Sequence, residues 1–308
     1  MKKRIDLILN AKGGVGKSFF AINLVQYLKD QKVPHLAIDT DNANSTLKRT
    51  HPETLFVNLN NRRGLDAVFT SLDDQPLVVV DGRAASTDQF LTYFDAVELA
   101  GLLKKLNVSL TIIIPVCHEM DSVAQVKLLS DVLGSVCDYV IVKNEGLSED
   151  FDLYNGSQAR KRVTGELKGR EMVMPELYDW LVAKLNIESL TITQAIQSDK
   201  FIIIDRQRLI SWQRRFNEQL QSVKELLLVC ATPPPNLPWI TPFWNGSGSI
   251  TSATTIPYWQ IWKSWKSISI TVTPTVPLRN NRPLTPNFGI PWSSMNASSE
   301  NWVNMRGM

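Results

Sequence analysis

The 308-residue chain carries 33 Lys and Arg against 30 Asp and Glu, a formal charge of +3, with 44% hydrophobic and 20% charged residues. That length suits one large or two ordinary domains, and that apolar fraction excludes a wholly disordered chain, while so small a charge excludes a strongly basic nucleic-acid binder. The positive balance belongs to the end of the chain: residues 231–308 hold five basic side chains and Glu300 alone, leaving residues 1–230 at −1.

Apolar runs at Ile5–Leu9, Leu36–Ile38, Leu77–Val80, Leu110–Ile114 and Tyr139–Val142 each end in a polar or Gly-containing turn and read as buried parallel strands. Helical patterns fall between and after them, at Phe19–Leu28, Ala96–Leu106, Val123–Leu133, Leu177–Leu185 and Arg206–Leu228. The alternation predicts an α/β fold, a mostly parallel twisted sheet with helices on both faces. Near residue 231 the composition changes, since the last 78 residues hold 11 of the 16 prolines and 7 of the 9 tryptophans. Residues 1–230 are therefore expected to form one domain, and 231–308 an irregular Pro/Trp-rich tail, disordered or loosely extended. Two readings of the tail stay open: its Trp-dense segments dock on something, or it is not under functional selection.

Cys117, Cys137 and Cys230 are widely spaced, which argues against a disulfide framework or a zinc site and fits a reducing compartment. No apolar run reaches membrane-spanning length, and Asp6 interrupts the start of the chain before a signal-peptide core could form. A cytoplasmic protein is expected.

The first strand runs into Ala11-Lys12-Gly13-Gly14-Val15-Gly16-Lys17-Ser18 and then a helix opening near Phe19. Glycines here let backbone N–H groups turn around an anion, and the helix adds the positive end of its dipole. Lys17 supplies a charge for β/γ-phosphates, and the Ser18 hydroxyl can ligate Mg²⁺. The generic phosphate loop has Gly where this chain has Ala11; Lys12 stands directly before the glycine pair instead. With that spacing the segment resembles the deviant Walker A loop of the ParA/MinD group of P-loop ATPases.

The resemblance continues at later strand ends. Ile38-Asp39-Thr40-Asp41 is similar to the group's switch I segment, which implies that Asp41 polarises the attacking water and that Asp39 supports Lys17 and the Mg²⁺ shell. The form D-T-D-N-A-N-S-T resembles the ParA-like proteins of conjugative plasmid transfer, a TraL-like branch, although Asn42 stands where Pro is expected. Leu77–Val80 followed by Asp81-Gly82-Arg83-Ala84 resembles a Walker B strand whose Asp81 binds Mg²⁺, but many relatives carry Asp-x-Pro-Pro there. Asn144 stands where family members present an Asn to adenine, and Met174-Pro175-Glu176 would wall that pocket. The guanine-reading N-K-x-D is absent at this point, which favours ATP over GTP. Each acid also has a plain reading as a strand-ending turn residue, and so does Asn144.

The resemblance further implies that Lys12 reaches across a dimer to the partner's nucleotide, so that ATP bridges two subunits. The expected site is thus Lys12, Lys17 and Asp41 for hydrolysis, with nucleotide held by Gly13, Gly14, Val15, Gly16, Lys17, Ser18, Phe19 and Asn144, and metal by Ser18, Asp39 and Asp81. Partners would be a second copy and either DNA or a plasmid partition or transfer protein. Two other classes share the loop: a small-metabolite kinase or synthetase, and a nucleotide-gated adaptor with vestigial hydrolysis. His35, His51 and His118 suit surface or capping roles, and Arg160-Lys161-Arg162, Lys168, Arg170, Arg206, Arg208, Arg214 and Arg215 suit a solvated face ahead of a DNA-binding one. A membrane anchor at Tyr258–Lys266 is disfavoured, with only two lysines beside its apolar face.

Overall fold

The structure, a computed structural model, describes residues 2–229 apart from 43 and 62. The expected domain boundary at 231, the tail, its Tyr258–Lys266 segment and Cys230 lie outside the described residues.

In chain order the elements are β1 (Lys3–Ile8), α1 (Lys17–Asp30), β2 (Leu36–Asp39), α2 (Thr46–Thr50), β3 (Leu55–Phe56), α3 (Asp66–Thr70), β4 (Leu77–Asp81), α4 (Thr87–Ala96), α5 (Leu99–Leu106), β5 (Val108–Val116) and α6 (Met120–Leu133). They continue with β6 (Asp138–Asn144), α7 (Asp152–Asn155), α8 (Gln158–Arg160), β7 (Arg170–Met174), α9 (Asp179–Glu188), α10 (Ile192–Gln197), α11 (Ile203–Ser222) and α12 (Lys224–Leu227). The strands form one parallel seven-stranded sheet in the order β3-β2-β4-β1-β5-β6-β7. The α/β expectation holds, and the five expected strands are all present.

Alternate residues of each strand feed two cores. On one face Ile5, Leu7, Val78, Val80, Ile112 and Ile114 pack with Phe90, Phe94, Leu103 and Leu129 of α4, α5 and α6. On the other, Ile8, Val79, Ile113 and Val140 pack with Phe20 and Leu24 of α1 and with Leu209, Trp212, Phe216 and Leu220 of α11. Both faces of the central strands are thus dry, which is why they read as continuous apolar runs. Trp212 stacks on Phe216 at 4.9 Å and meets Phe19 edge-on at 5.4 Å, tying α11 to the start of α1.

Two elements depart from the sequence pattern. The expected helix Ala96–Leu106 begins at Leu99, because Val97 ends α4 and Glu98 adopts a left-handed φ of 49°. The last expected helix splits at Val223, where φ of −120° ends α11 and α12 begins. There Arg4 Nη1 donates to the Leu226 carbonyl at 2.7 Å, to Thr111 Oγ1 at 2.5 Å and to Asp138 Oδ2 at 3.1 Å.

Candidate functional site

β1, β2 and β4 lie side by side and in parallel, so their carboxyl ends open on one rim. Register pairs Asp39 with Asp81 there, and Ser18 and Lys17, at the start of α1, reach Asp81. The loop from β1 into α1 needs its glycines. Gly14 and Gly16 hold φ of 73° and 99°, conformations that L side chains rarely adopt, and a Cβ on Gly16 would sit 2.5 Å from Asn144 Nδ2. Gly82, just past β4, has no room either, since its Cβ would stand 2.6 Å from the Ile8 carbonyl oxygen.

The resulting cleft, about 220 Å³, is lined by Gly14, Gly16, Lys17, Ser18, Phe19, Asp41, Gly82, Arg83 and Ala84. Lys17 Nζ donates to the Lys12 carbonyl at 2.8 Å. Burial holds this ammonium below the usual lysine range, and Asp81 and Asp41 oppose that shift. Asp81 is 2% exposed, and its Oδ1 has no hydrogen-bond partner. Burial pushes its carboxyl up to about 7 even though the Ser18 hydroxyl bonds it and Lys17 is near, with Asp39 adding to the rise. A buried carboxylate with an unpartnered oxygen beside a hydroxyl fits a divalent cation carrying phosphate. Among the described residues no cluster of three or more His, Cys, Asp or Glu could hold a metal unaided.

Asp39 is tied to the loop that follows β2. Its Oδ1 accepts the Asp41 N–H at 2.9 Å and its Oδ2 the Lys48 N–H at 3.2 Å, so it shapes the loop that presents Asp41. Burial raises its carboxyl and those two N–H groups oppose the rise. Half-buried Asp41 reaches the cleft and caps its own loop, with Oδ1 accepting the Asn44 N–H at 3.1 Å.

Asn144 lies beneath the loop. Its Nδ2 donates to the Val15 carbonyl at 3.0 Å and its Oδ1 accepts the Gly146 N–H at 3.0 Å, so the amide braces the phosphate loop against the end of β6. Met174 abuts Gly16 from the same side, and the Pro175 carbonyl accepts the Trp212 indole N–H at 2.8 Å. Lys12 turns away from the cleft: its Nζ pairs with Glu119 Oε2 at 2.5 Å, which raises the lysine and lowers the glutamate.

Sequence reasoning passes over the residues that fix the loop's entrance. Asn10 is 1% exposed; its Nδ2 donates to the Pro115 and Ser122 carbonyls at 2.8 and 3.2 Å, and its Oδ1 accepts the Lys12 N–H at 2.9 Å. Gln125 of α6 accepts from the Ala11 N–H at 3.3 Å and from Thr87 Oγ1 at 3.1 Å, joining the phosphate loop to the segment after β4. The one signal for them in the sequence is an Asn placed just before a glycine loop.

Outside the cleft, His51 is not a surface residue. It is 1% exposed at the end of α2, with Nε2 on the Ile22 carbonyl at 3.0 Å and Nδ1 on Lys29 Nζ at 2.7 Å, and burial lowers it to about 4. Several basic residues pair with acids: Arg160 and Lys143 with Glu171, Arg162 with Asp131 and Glu166, Arg170 with Glu225, and Arg208 with Asp205. That agrees with a solvated face. Among the described residues no helix is long and apolar enough to cross a membrane.

Residues 7–225 match the family model described as the CobQ/CobB/MinD/ParA nucleotide binding domain, and the chain belongs to that family. It is 27% identical over 230 residues to "Protein MobD" of Acidithiobacillus ferrooxidans, covering 72% of this chain and 99% of that protein. It is likewise 27% identical over 245 residues to "Protein TraL" of Escherichia coli, with the same coverage. Among solved structures it is similar to an ATP complex of a Cyanothece McdA variant, with 14% identity, a TM-score of 0.48, and 72% and 97% of the two chains covered. The septum site-determining protein MinD with Mg-ADP from Pyrococcus horikoshii gives 15%, 0.45, and 72% and 98%. The ParA/MinD resemblance seen in the motifs is borne out.

Proposed function

We propose that this protein binds Mg·ATP in the cleft above β1, β2 and β4 and hydrolyses it slowly, alternating between a monomer and an ATP-bridged dimer. The observation that carries this reading is Asp81, a buried carboxyl with an unpartnered oxygen, set against Ser18 and Lys17 beside a loop in which Gly14 and Gly16 hold left-handed conformations and Gly16 has no room for a Cβ. In the proposed roles, loop N–H groups and Lys17 hold the β- and γ-phosphates, and Ser18 and Asp81 hold the metal. The metal, when bound, neutralises charge developing on those phosphates. Asp41, positioned through Asp39, orients a water whose oxygen bonds to the γ-phosphorus as the bond to the β–γ bridging oxygen breaks, giving ADP and phosphate. Lys12 serves the partner's nucleotide, which requires it to leave Glu119. Adenine is contacted near Asn144 and Met174. Relatives named MobD and TraL favour a role in plasmid transfer, with a partner protein or DNA engaged by the dimer.

Sizing chromatography and phosphate release on the full chain test this. Wild type with ATP should elute partly as a dimer and turn over slowly, Asp41→Ala should accumulate as a stable ATP dimer, and Lys12→Ala should bind ATP as a monomer. Normal hydrolysis by Asp41→Ala would contradict its assignment as the water orienter. Phosphoryl transfer to a small metabolite without dependence on Lys12 would favour a kinase, and ATP binding without turnover an adaptor.

A further inference from the structure

The cleft has a charge problem within one chain. Asp41 lines it and Asp39 and Asp81 are buried at the strand ends behind it, while Lys17 is the lysine among its described lining and Lys12 is turned toward Glu119. A triphosphate with one divalent ion still brings net negative charge. Among the described residues the remaining cation on the lining is Arg83, in the place where many ParA/MinD relatives carry proline.

Its main chain is fixed on both sides. The Arg83 N–H donates to Thr40 Oγ1 at 3.0 Å, and that hydroxyl donates to the Asp81 carbonyl at 2.8 Å. Ser86 Oγ donates to the Arg83 carbonyl at 2.7 Å, and the Ala85 N–H donates to the Ala11 carbonyl at 3.1 Å, with Ala85 in a left-handed conformation at φ of 57°. The loop after β4 is therefore stapled to switch I and to the phosphate loop, and Arg83 leaves it beside Gly82 and Ala84 at the cleft wall. The side chain is held far less. It is half-buried, Nη2 donates to the neutral Gln89 Oε1 of α4 at 3.0 Å, and no carboxylate among the described residues pairs with it. A guanidinium on a neutral amide gains by moving to a phosphate oxygen, because the bond then joins opposite charges and its planar fork matches phosphate geometry.

We propose that Arg83 is a γ-phosphate-binding residue supplied in cis: it rests on Gln89 when the cleft lacks triphosphate and swings to the γ-phosphoryl oxygens when ATP binds, so that the protein tells ATP from ADP. This rests on the nucleotide-site reading above. ADP, lacking the γ-phosphate, leaves Arg83 on Gln89.

Calorimetry of the full chain with Mg·ATP and separately with Mg·ADP separates the two. Wild type should prefer ATP, and Arg83→Ala should weaken ATP about tenfold while ADP stays within about twofold, the size of one charge-assisted bond lost. Arg83→Lys should recover part of the loss, the fork being absent. Gln89→Glu leaves the loop untouched and gives the guanidinium a carboxylate; it should weaken ATP several-fold, and should have no such effect in the Arg83→Ala background. An ATP-to-ADP ratio unchanged by Arg83→Ala, or equal losses for both nucleotides, would overturn the proposal while leaving the site intact. Wild type that binds neither nucleotide would remove the site itself.

Discussion

Two buried carboxyls, Asp6 within β1 and Asp81 at the tip of β4, mark a structural region and a working region of the same sheet. Each has a side-chain oxygen without a hydrogen-bond partner, and burial raises both. Asp6 is 0% exposed, and its register neighbours are Val79 and Thr111. Asp81 sits where its strand ends, beside Ser18 and Lys17 and next to Gly82 and Arg83 of the cleft wall. Burial of an acid alone therefore identifies nothing. What distinguishes Asp81 is the Ser18 hydroxyl that bonds it and its place at a strand end next to the residues that line the cleft. Asp6 is instead driven toward its protonated form near Arg4, whose own bonds all go to other protein atoms.

The contrast is broken most severely in the structural region. Arg4→Ala would remove the guanidinium's bonds to Thr111, Asp138 and the Glu225 and Leu226 carbonyls and loosen α12, at a cost of about 3 kcal/mol, with nucleotide affinity per folded molecule unchanged. Urea melts read the first and calorimetry the second; a loss of ATP affinity without a loss of stability would move Arg4 into the working region. There Lys17→Ala should do the reverse, lowering affinity for Mg·ATP by about 100-fold or more, as expected from losing a buried charged phosphate ligand, with little change in melting temperature.

His51 tests burial outside both regions. Its folded value of about 4 lies below the ordinary 6.5, so the unfolded chain binds the extra proton. The stability from keeping it neutral is present above pH 6.5 and is lost as pH falls from 6.5 toward 4, on the order of 2 kcal/mol. His51→Gln should flatten that part of a stability-against-pH curve; an unaltered slope would contradict it. The smallest effect is expected from Asp81→Asn, which should weaken Mg·ATP about tenfold while the metal-free protein melts no lower, because a buried carboxyl is exchanged for a neutral amide. Thermal melts with and without magnesium nucleotide measure both.

The working region was largely legible in the sequence because phosphate chemistry constrains it: glycine at the left-handed positions, lysine and serine at the helix start, acids at strand ends. Gly14 and Gly16 take left-handed conformations, and Asp39 and Asp81 stand at the ends of β2 and β4, where the motif resemblance set them. Asn10 and Gln125 were not legible, since a buttress needs only a side-chain amide within reach and carries no fixed spacing. Strand β3 has two residues and β7 follows a basic stretch, so neither offers an apolar run. Lys12 was legible as a residue but not in its orientation, because Glu119 is distant in sequence and meets it through the packing of α6 beside the loop. His51 read as a surface or capping residue; it stands at the C-terminal end of α2, and only the fold of α2 against α1 buries it.

Titration calorimetry of the full-length protein with Mg·ATP, repeated without magnesium, measures the central claim most directly. Saturable one-to-one binding per chain that weakens at least about tenfold when magnesium is withheld is the predicted result. Absence of binding, or binding indifferent to both magnesium and Lys17→Ala, would contradict it.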